Sequence, residues 1–285
     1  MKKLLPILLL PLFAYSSTFT ITAPQSDYDI SHGYYYQLLQ EALEVTRPDY
    51  GDYKIEVYKK PISQGRAIKE ILAGRKINIH RMGTSSKREE VLMPIRIPLV
   101  KGLLGVRMII TNYQTNKAIS EVKTIKDLSK FKACQGSHWP DTEILKRNGL
   151  PVFATHSLDG MYKMLNAGRC DYFPRSIIEG EAEYHNSKTR FPFITMNTKV
   201  LLQYPFPMYF FTGLKRTDLN ERVSKGLLML TMKNKIFSIM KDHPSTKNAF
   251  PLKKWQGHTV IKLVNDDINT RSIEDSKSLW IKINE

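Results

Sequence analysis

The sequence predicts an α/β protein of two similar units, each running strand–helix–strand–helix–strand. Three observations carry that prediction. Short β-branched or aromatic runs alternate with segments whose apolar residues recur at i, i+3, i+4 and i+7. Ser, Asp or Pro precede those segments, and Gly or Asn-Gly follows them. The same order occurs twice along the chain, which implies mostly parallel sheets with right-handed crossovers.

The first unit opens with Thr18-Phe19-Thr20-Ile21-Thr22, an alternating strand, and Pro24–Asp27 is a loop. Tyr35, Leu38, Leu39, Ala42 and Leu43 mark an amphipathic helix, and Tyr53 to Tyr58 is a second strand. Ser63 caps a helix carrying Ala67, Ile68, Ile71 and Leu72, which Gly74 ends. Ile77–His80 is the third strand. Arg81-Met82-Gly83-Thr84-Ser85-Ser86-Lys87-Arg88-Glu89-Glu90 follows as a turn and a helix start. Gly102–Ile110 is a further strand, and its Arg107 faces either a cleft or an outer surface. Asn112–Ile119 is polar and is expected to cross to the second unit.

Thr124–Leu128 is a short helix, and Phe131–Cys134 opens the second unit as a strand ending in Gln135-Gly136-Ser137. Pro140-Asp141 starts a helix, with Pro in the first turn where its missing N–H costs nothing. Asn148-Gly149 stops it. Val152–Ala154 is a strand. Ser157 caps a helix bearing Leu158, Met161, Tyr162 and Leu165, Gly168 ends that helix, and Asp171–Pro174 is the third strand. In such sheets ligands collect at strand carboxyl ends against helix N-termini. Ser137-His138-Trp139 occupies such a place, where free N–H groups and the helix dipole favour an anion. Arg175 lies just past the third strand. The plainer alternative is that Ser137 caps and Trp139 packs.

Beyond the second unit, Val200–Tyr204 and Met208–Phe211 lead back to the first. Leu219, Val223, Leu227 and Leu230 mark one late helix, and Ile236, Phe237 and Met240 another. Residues 253–285 form an extension with a strand-like Val260–Val264 and a Trp280 suited to pin it down. At the other end, Lys2 and Lys3 followed by apolar Leu4–Phe13 and Ala14-Tyr15-Ser16 read as a cleaved export signal over residues 1–16. The remaining 269 residues suffice for two units of ordinary size.

The formal charge is +16, and +14 without Lys2 and Lys3. That balance suits an anionic partner or membrane face, or simply a solvated basic surface. The scattered Lys and Arg, without an RNA-binding signature or zinc spacing, argue against nucleic acid. Cys134 and Cys170 fall at opposite ends of predicted neighbouring strands, beyond the roughly 7 Å limit for a bridge, so two buried thiols are expected. No nucleophile elbow, zinc-protease helix, phosphate loop or dinucleotide fingerprint is present, and the histidines lack metal spacing. A non-enzyme without cofactor or metal is expected.

The stretch QGSHWPDTEIL, followed by MYKMLNAGRCDYFPR, resembles the second lobe of the family-three periplasmic solute-binding proteins, the amino-acid-binding type. Order and spacing over roughly the whole chain after residue 16 carry this resemblance. It implies a two-lobe periplasmic-binding-protein-like fold, each lobe a mostly parallel sheet flanked by helices, joined by a two-strand hinge. Residues 17–112 and 201–252 would form the first lobe with the return hinge, and 113–200 the second.

The resemblance also implies a ligand site. Relatives follow the third strand with a hydroxyl-rich turn and Thr-x-x-Arg, whose Arg grips the ligand carboxylate. Ser85 and Arg88 fall on those positions, and a guanidinium fork matches a carboxylate bidentately. Arg81 stands where relatives have small hydroxyl residues. Relatives place an ammonium-binding aspartate after the third strand of the second lobe, where this chain has Pro174-Arg175-Ser176, so an anionic or zwitterionic ligand is as plausible as a standard amino acid. The expected ligand set is Arg88, Ser85, Arg81, Ser137, His138, Trp139, Arg175 and Arg107. The implied protein is a monomeric, exported, periplasmic receptor for a small solute, delivering it to a membrane permease; the alternative is a sensory module signalling to a membrane kinase or cyclase.

Overall fold

Side chains alternate in and out of the core along the first described strand, in a computed structural model that describes residues 17–27, 29–269 and 274–283. The export-signal reading of residues 1–16 lies outside the described residues. β1 (Ser17–Ile21) pairs in parallel with β2 (Tyr53–Val57), and between them run α1 (Ser31–Glu44) and α2 (Arg47–Tyr50). α1 buries Tyr34, Tyr35, Leu38, Leu39, Ala42 and Leu43, the face its periodicity announces. The Ser63 hydroxyl caps α3 (Gln64–Leu72) by accepting from the Arg66 amide.

β3 spans Ile79–Gly83, longer at its end than the expected Ile77–His80, so Arg81 is a strand residue rather than the first residue of a turn. Pairing with a later strand, β10 (Met208–Gly213), carries it on: Met82 and Gly83 register with Tyr209 and Met208. α4 (Ser86–Val91) and β4 (Leu92–Ile95) follow, and β4 joins the other edge of β10.

The crossing to the second sheet comes early. β5 (Val106–Asn112) already lies in the middle of a six-stranded sheet, so Asn112–Ile119 is not a connecting run. Asn112 instead caps α5 (Tyr113–Ser120), its side chain accepting from the Thr115 amide. Thr124 and Asp127 form a reciprocal cap on α6 (Ile125–Leu128). β6 (Ala133–Gly136), α7 (Pro140–Arg147), β7 (Val152–Thr155), α8 (Leu158–Asn166) and β8 (Tyr172–Ser176) then run as the predicted alternation, with β6 parallel to both β7 and β8. Gly149 and Gly168 end their helices in the left-handed region, where a Cβ would be strained. α9 (Gly180–Ser187) leads into β9 (Ile194–Gln203), antiparallel to β5, and β10 returns the chain to the first sheets.

α10 (Thr217–Met232) buries Leu219, Val223, Leu227 and Leu230, and α11 (Lys235–Asp242) buries Ile236 and Met240. The last strand, β11 (Thr259–Lys262), adds in parallel to β9 and completes the order β11-β9-β5-β8-β6-β7. The chain then turns into a strap. Val264 exchanges two hydrogen bonds with the Asn148 side chain at the end of α7, Asn265 donates to the Pro205 carbonyl, and the Asp267 carboxylate accepts from the amide and hydroxyl of Ser86 at the start of α4. Further on, Ile281 donates to the Lys101 carbonyl and Trp280 lies against Gly102.

Cys134 and Cys170 are joined in a disulfide, with Cα atoms 5.6 Å apart, which corrects the expectation of two thiols. The physical reason is that β6 runs on to Gly136, so Cys134 lies near its amino end and not at its carboxyl end. Ala133 registers with Tyr172, which puts Cys134 beside the bend that carries Cys170. Among the described residues no helix is long and apolar enough to cross a membrane.

Candidate functional site

The carboxyl ends of β3 and β8, the start of β5 and the N-terminus of α7 converge on one cavity of about 60 Å³. A space of that size takes a few waters, because the side chains around it fill most of the cleft. Its walls carry three arginines, Arg81, Arg107 and Arg175, and four carboxyls, Asp29, Asp141, Glu179 and Glu183.

Each of these arginines already has an acidic partner. Arg107 projects from β5 into the cleft, 2% exposed, which settles its two alternatives. Its Nη2 donates to Asp141 Oδ1 at 2.5 Å and its Nε to the Tyr204 hydroxyl at 3.0 Å, while Tyr204 itself donates to Asp141 at 2.6 Å. Burial opposes its charge, but Asp141, Tyr204 and Glu179 outweigh that and hold the guanidinium protonated. Arg175 is the last but one residue of β8, not a residue beyond it. It forks onto Glu183, Nε to Oε2 at 2.7 Å and Nη2 to Oε1 at 2.8 Å, and Nη2 also meets Glu179 Oε1 at 2.8 Å. Arg81 reaches the Ser31 hydroxyl at 3.3 Å and Asp29 at 3.6 Å, with its guanidinium over the Tyr35 ring. Burial pushes the Asp29 carboxyl up, but Arg81, the Gln25 amide and the Ser31 hydroxyl hold it below the usual carboxylate range.

Arg88 differs. It is buried beside the cavity, behind Gly83 and Gln64, and its partners are neutral: the Gly83 carbonyl, Gln64 Oε1 at 2.8 Å and the His138 carbonyl at 2.7 Å. Burial lowers its pKa to about 10, with Asp141 pulling the other way. A buried cation without a contacting carboxylate is costly to hold, and an anion relieves it.

The other expected residues divide. Trp139 lines the cavity and is the N-cap residue of α7. Ser137 does not cap that helix; its hydroxyl bonds His156 Nδ1 at 2.7 Å, outside the cavity. The His138 ring is exposed, and only its carbonyl reaches inward, to Arg88. Ser85 caps α4 by accepting from the Arg88 amide, so it positions Arg88 and does not line the cavity. The α7 N-terminus, expected to be open for an anion, carries Asp141 in its first turn.

The acidic half of the cleft was missed, so the expectation that Arg175 leaves added positive charge does not hold: Glu179 and Glu183 pair with it. Glu179 and Glu183 stand four apart at the start of the helix that follows Arg175, a spacing that puts the two acids on one helical face and was the available signal. His80 was also missed. It lines the cavity with Nε2 unpartnered among the described residues, and burial keeps its ring neutral.

Burial raises Glu183 to about 7, against the pull of Arg175. The folded chain therefore retains a proton that the unfolded chain releases. That contribution is whole below about pH 4.5 and is lost as pH rises through about 7, on the order of 3 kcal/mol. Glu183→Gln, which cannot ionise, should thus gain stability relative to the parent between pH 5 and pH 8. Melting temperatures of both proteins at the two pH values test this; a constant difference between them would rule the shift out.

The sequence matches no family model and no curated protein. The fold is that of the two-lobe periplasmic binding proteins. A histidine kinase sensor domain with similarity to periplasmic binding proteins aligns at a TM-score of 0.59 and 15% identity, over 81% of this chain and 97% of that one. A Streptococcus pneumoniae amino-acid ABC transporter substrate-binding protein bound to L-arginine aligns at 0.58 and 14%, over 78% and 92%. The periplasmic binding protein of Salmonella typhimurium with high arginine specificity aligns at 0.58 and 12%, over 79% and 98%.

Proposed function

We propose that this chain is an extracytoplasmic, non-enzymatic solute-binding protein that closes on a small polar, carboxylate-bearing ligand and delivers it to a membrane transporter. The observation that carries the ligand class is Arg88, the cleft arginine whose hydrogen-bond partners are neutral. Its Nη2 bond to the His138 carbonyl joins the unit of the three-stranded sheet to that of the six-stranded sheet. A ligand carboxylate entering between the two units would take the place of that carbonyl and of Gln64. Such a ligand touches both units only when they are closed, so its binding favours closure. Ser85 would orient Arg88 through the α4 cap, and Arg81, Arg107, Arg175 and Trp139 would form the walls. Export rests on the Lys2–Phe13 pattern. Transporter delivery rests on the substrate-binding proteins among the similar structures. A sensory module is the second reading, favoured by the kinase sensor domain at the same level of similarity.

The test is a thermal-shift screen of amino acids, dicarboxylates and short peptides, then calorimetry with the hit. Arg88→Ala should lose about 30-fold or more in affinity. Lys87→Ala, an exposed neighbour, should lose little. Equal binding by the two variants would falsify the assignment of Arg88.

A further inference from the structure

We propose that Arg175 is a resident cation, filling a cation-accepting subsite of the cleft and so excluding ligands with a basic side chain. The subsite has the parts that recognise a planar cation. The guanidinium carbon lies 5.0 Å from the centre of the Trp139 ring and 5.2 Å from that of Phe173, two rings inclined by only 24°. Glu183 accepts the fork from one side, and Glu179 forms an ion pair with Nη2 at 2.8 Å. The backbones that carry these groups are set by secondary structure and not by the arginine side chain. Glu179 and Glu183 are fixed by α9, which approaches β8 closely because residue 180 is glycine: a Cβ there would lie 2.8 Å from the Arg175 Cβ and 2.9 Å from Met108 Sδ. Trp139 is fixed by α7 and Phe173 by β8 itself.

Among the described residues, the ion-pair and ring partners of Arg175 belong to the six-stranded-sheet unit, so the subsite stays filled whether the cleft is open or shut. A tethered guanidinium outcompetes a free one because no translational entropy is lost on each binding event. A small side chain at position 175 would leave two buried carboxyls facing two aromatic rings, a receptor for a guanidinium from solution. The exclusion of basic ligands rests on the cavity being the solute site; the subsite itself does not.

The experiment compares the parent with Arg175→Ala, probed by methylguanidinium chloride against sodium chloride at equal ionic strength. The variant should melt below the parent. Methylguanidinium at ten times its Kd should raise the variant's Tm by about 3 °C or more and leave the parent unchanged. L-arginine should likewise stabilise the variant and not the parent. If Arg175→Ala is recovered only as aggregate, the double variant Arg175→Ala/Glu183→Gln takes its place, since it leaves one buried charge fewer unpaired. A Tm gain confined to the variants supports the resident cation. No gain in whichever variant folds, or an equal gain in the parent, overturns it. Failure of the solute-binding function would appear instead as a parent that responds to no compound in the wider screen.

Discussion

Asp141→Ala is expected to destabilise the protein by about 3–5 kcal/mol, because it strips a buried arginine of its hydrogen-bonded anion and leaves only Glu179, at 3.9 Å. Arg107 and Asp141 are 2% and 4% exposed, and Asp141 also accepts the Tyr204 hydroxyl. Removing the carboxylate leaves a guanidinium and a phenol short of partners in a site that water enters poorly. Replacing both charges, as Arg107→Met/Asp141→Leu, should recover much of the loss, since burying the pair was itself costly. Urea denaturation of the three proteins measures this. A loss below about 1 kcal/mol for Asp141→Ala would mean that water reaches Arg107.

Loss of the Cys134–Cys170 bridge is the second large effect. It closes a loop across 36 positions, from β6 to the entry of β8. Constraining a loop of that length in the unfolded chain stabilises the native state by about 2–4 kcal/mol in the chain-entropy account. Cys134→Ala/Cys170→Ala should show that deficit in denaturation. Parent protein unfolded without reductant should take up no alkylating reagent; uptake of two equivalents would show free thiols.

Much of the fold was legible because its signals are local. Ser63, Thr124 and Ser157 cap the helices they precede, and the apolar faces of α1, α8 and α10 follow their spacing. The disulfide was misread because the first strand of the second unit was ended at Cys134, whereas β6 begins at Ala133 and puts Cys134 at the same end as Cys170. The two halves of the site were unequally visible. Arg107 stands out in an apolar strand, and Arg88 came with a neighbouring pattern. Asp29, Glu179 and Glu183 did not, because a buried carboxylate looks like a solvated one until a partner from another element is placed against it. Arg175 was seen as added charge, whereas α9 supplies two acids that absorb it.

The strap after β11 sets a mechanical limit on any opening of the cleft. Val264 is tied to the end of α7 and Asp267 to the start of α4, three residues on. A fully extended chain covers at most roughly 10–11 Å over three residues. These two helix ends can therefore not travel far apart unless a tie breaks. The short tie acts as an axle on one flank. Together with the β5 and β9 connections, it would confine any opening of the cleft to a swing that parts most at the rim farthest from these ties. Cutting the Asp267 tie would free a twisting motion that the intact protein is denied.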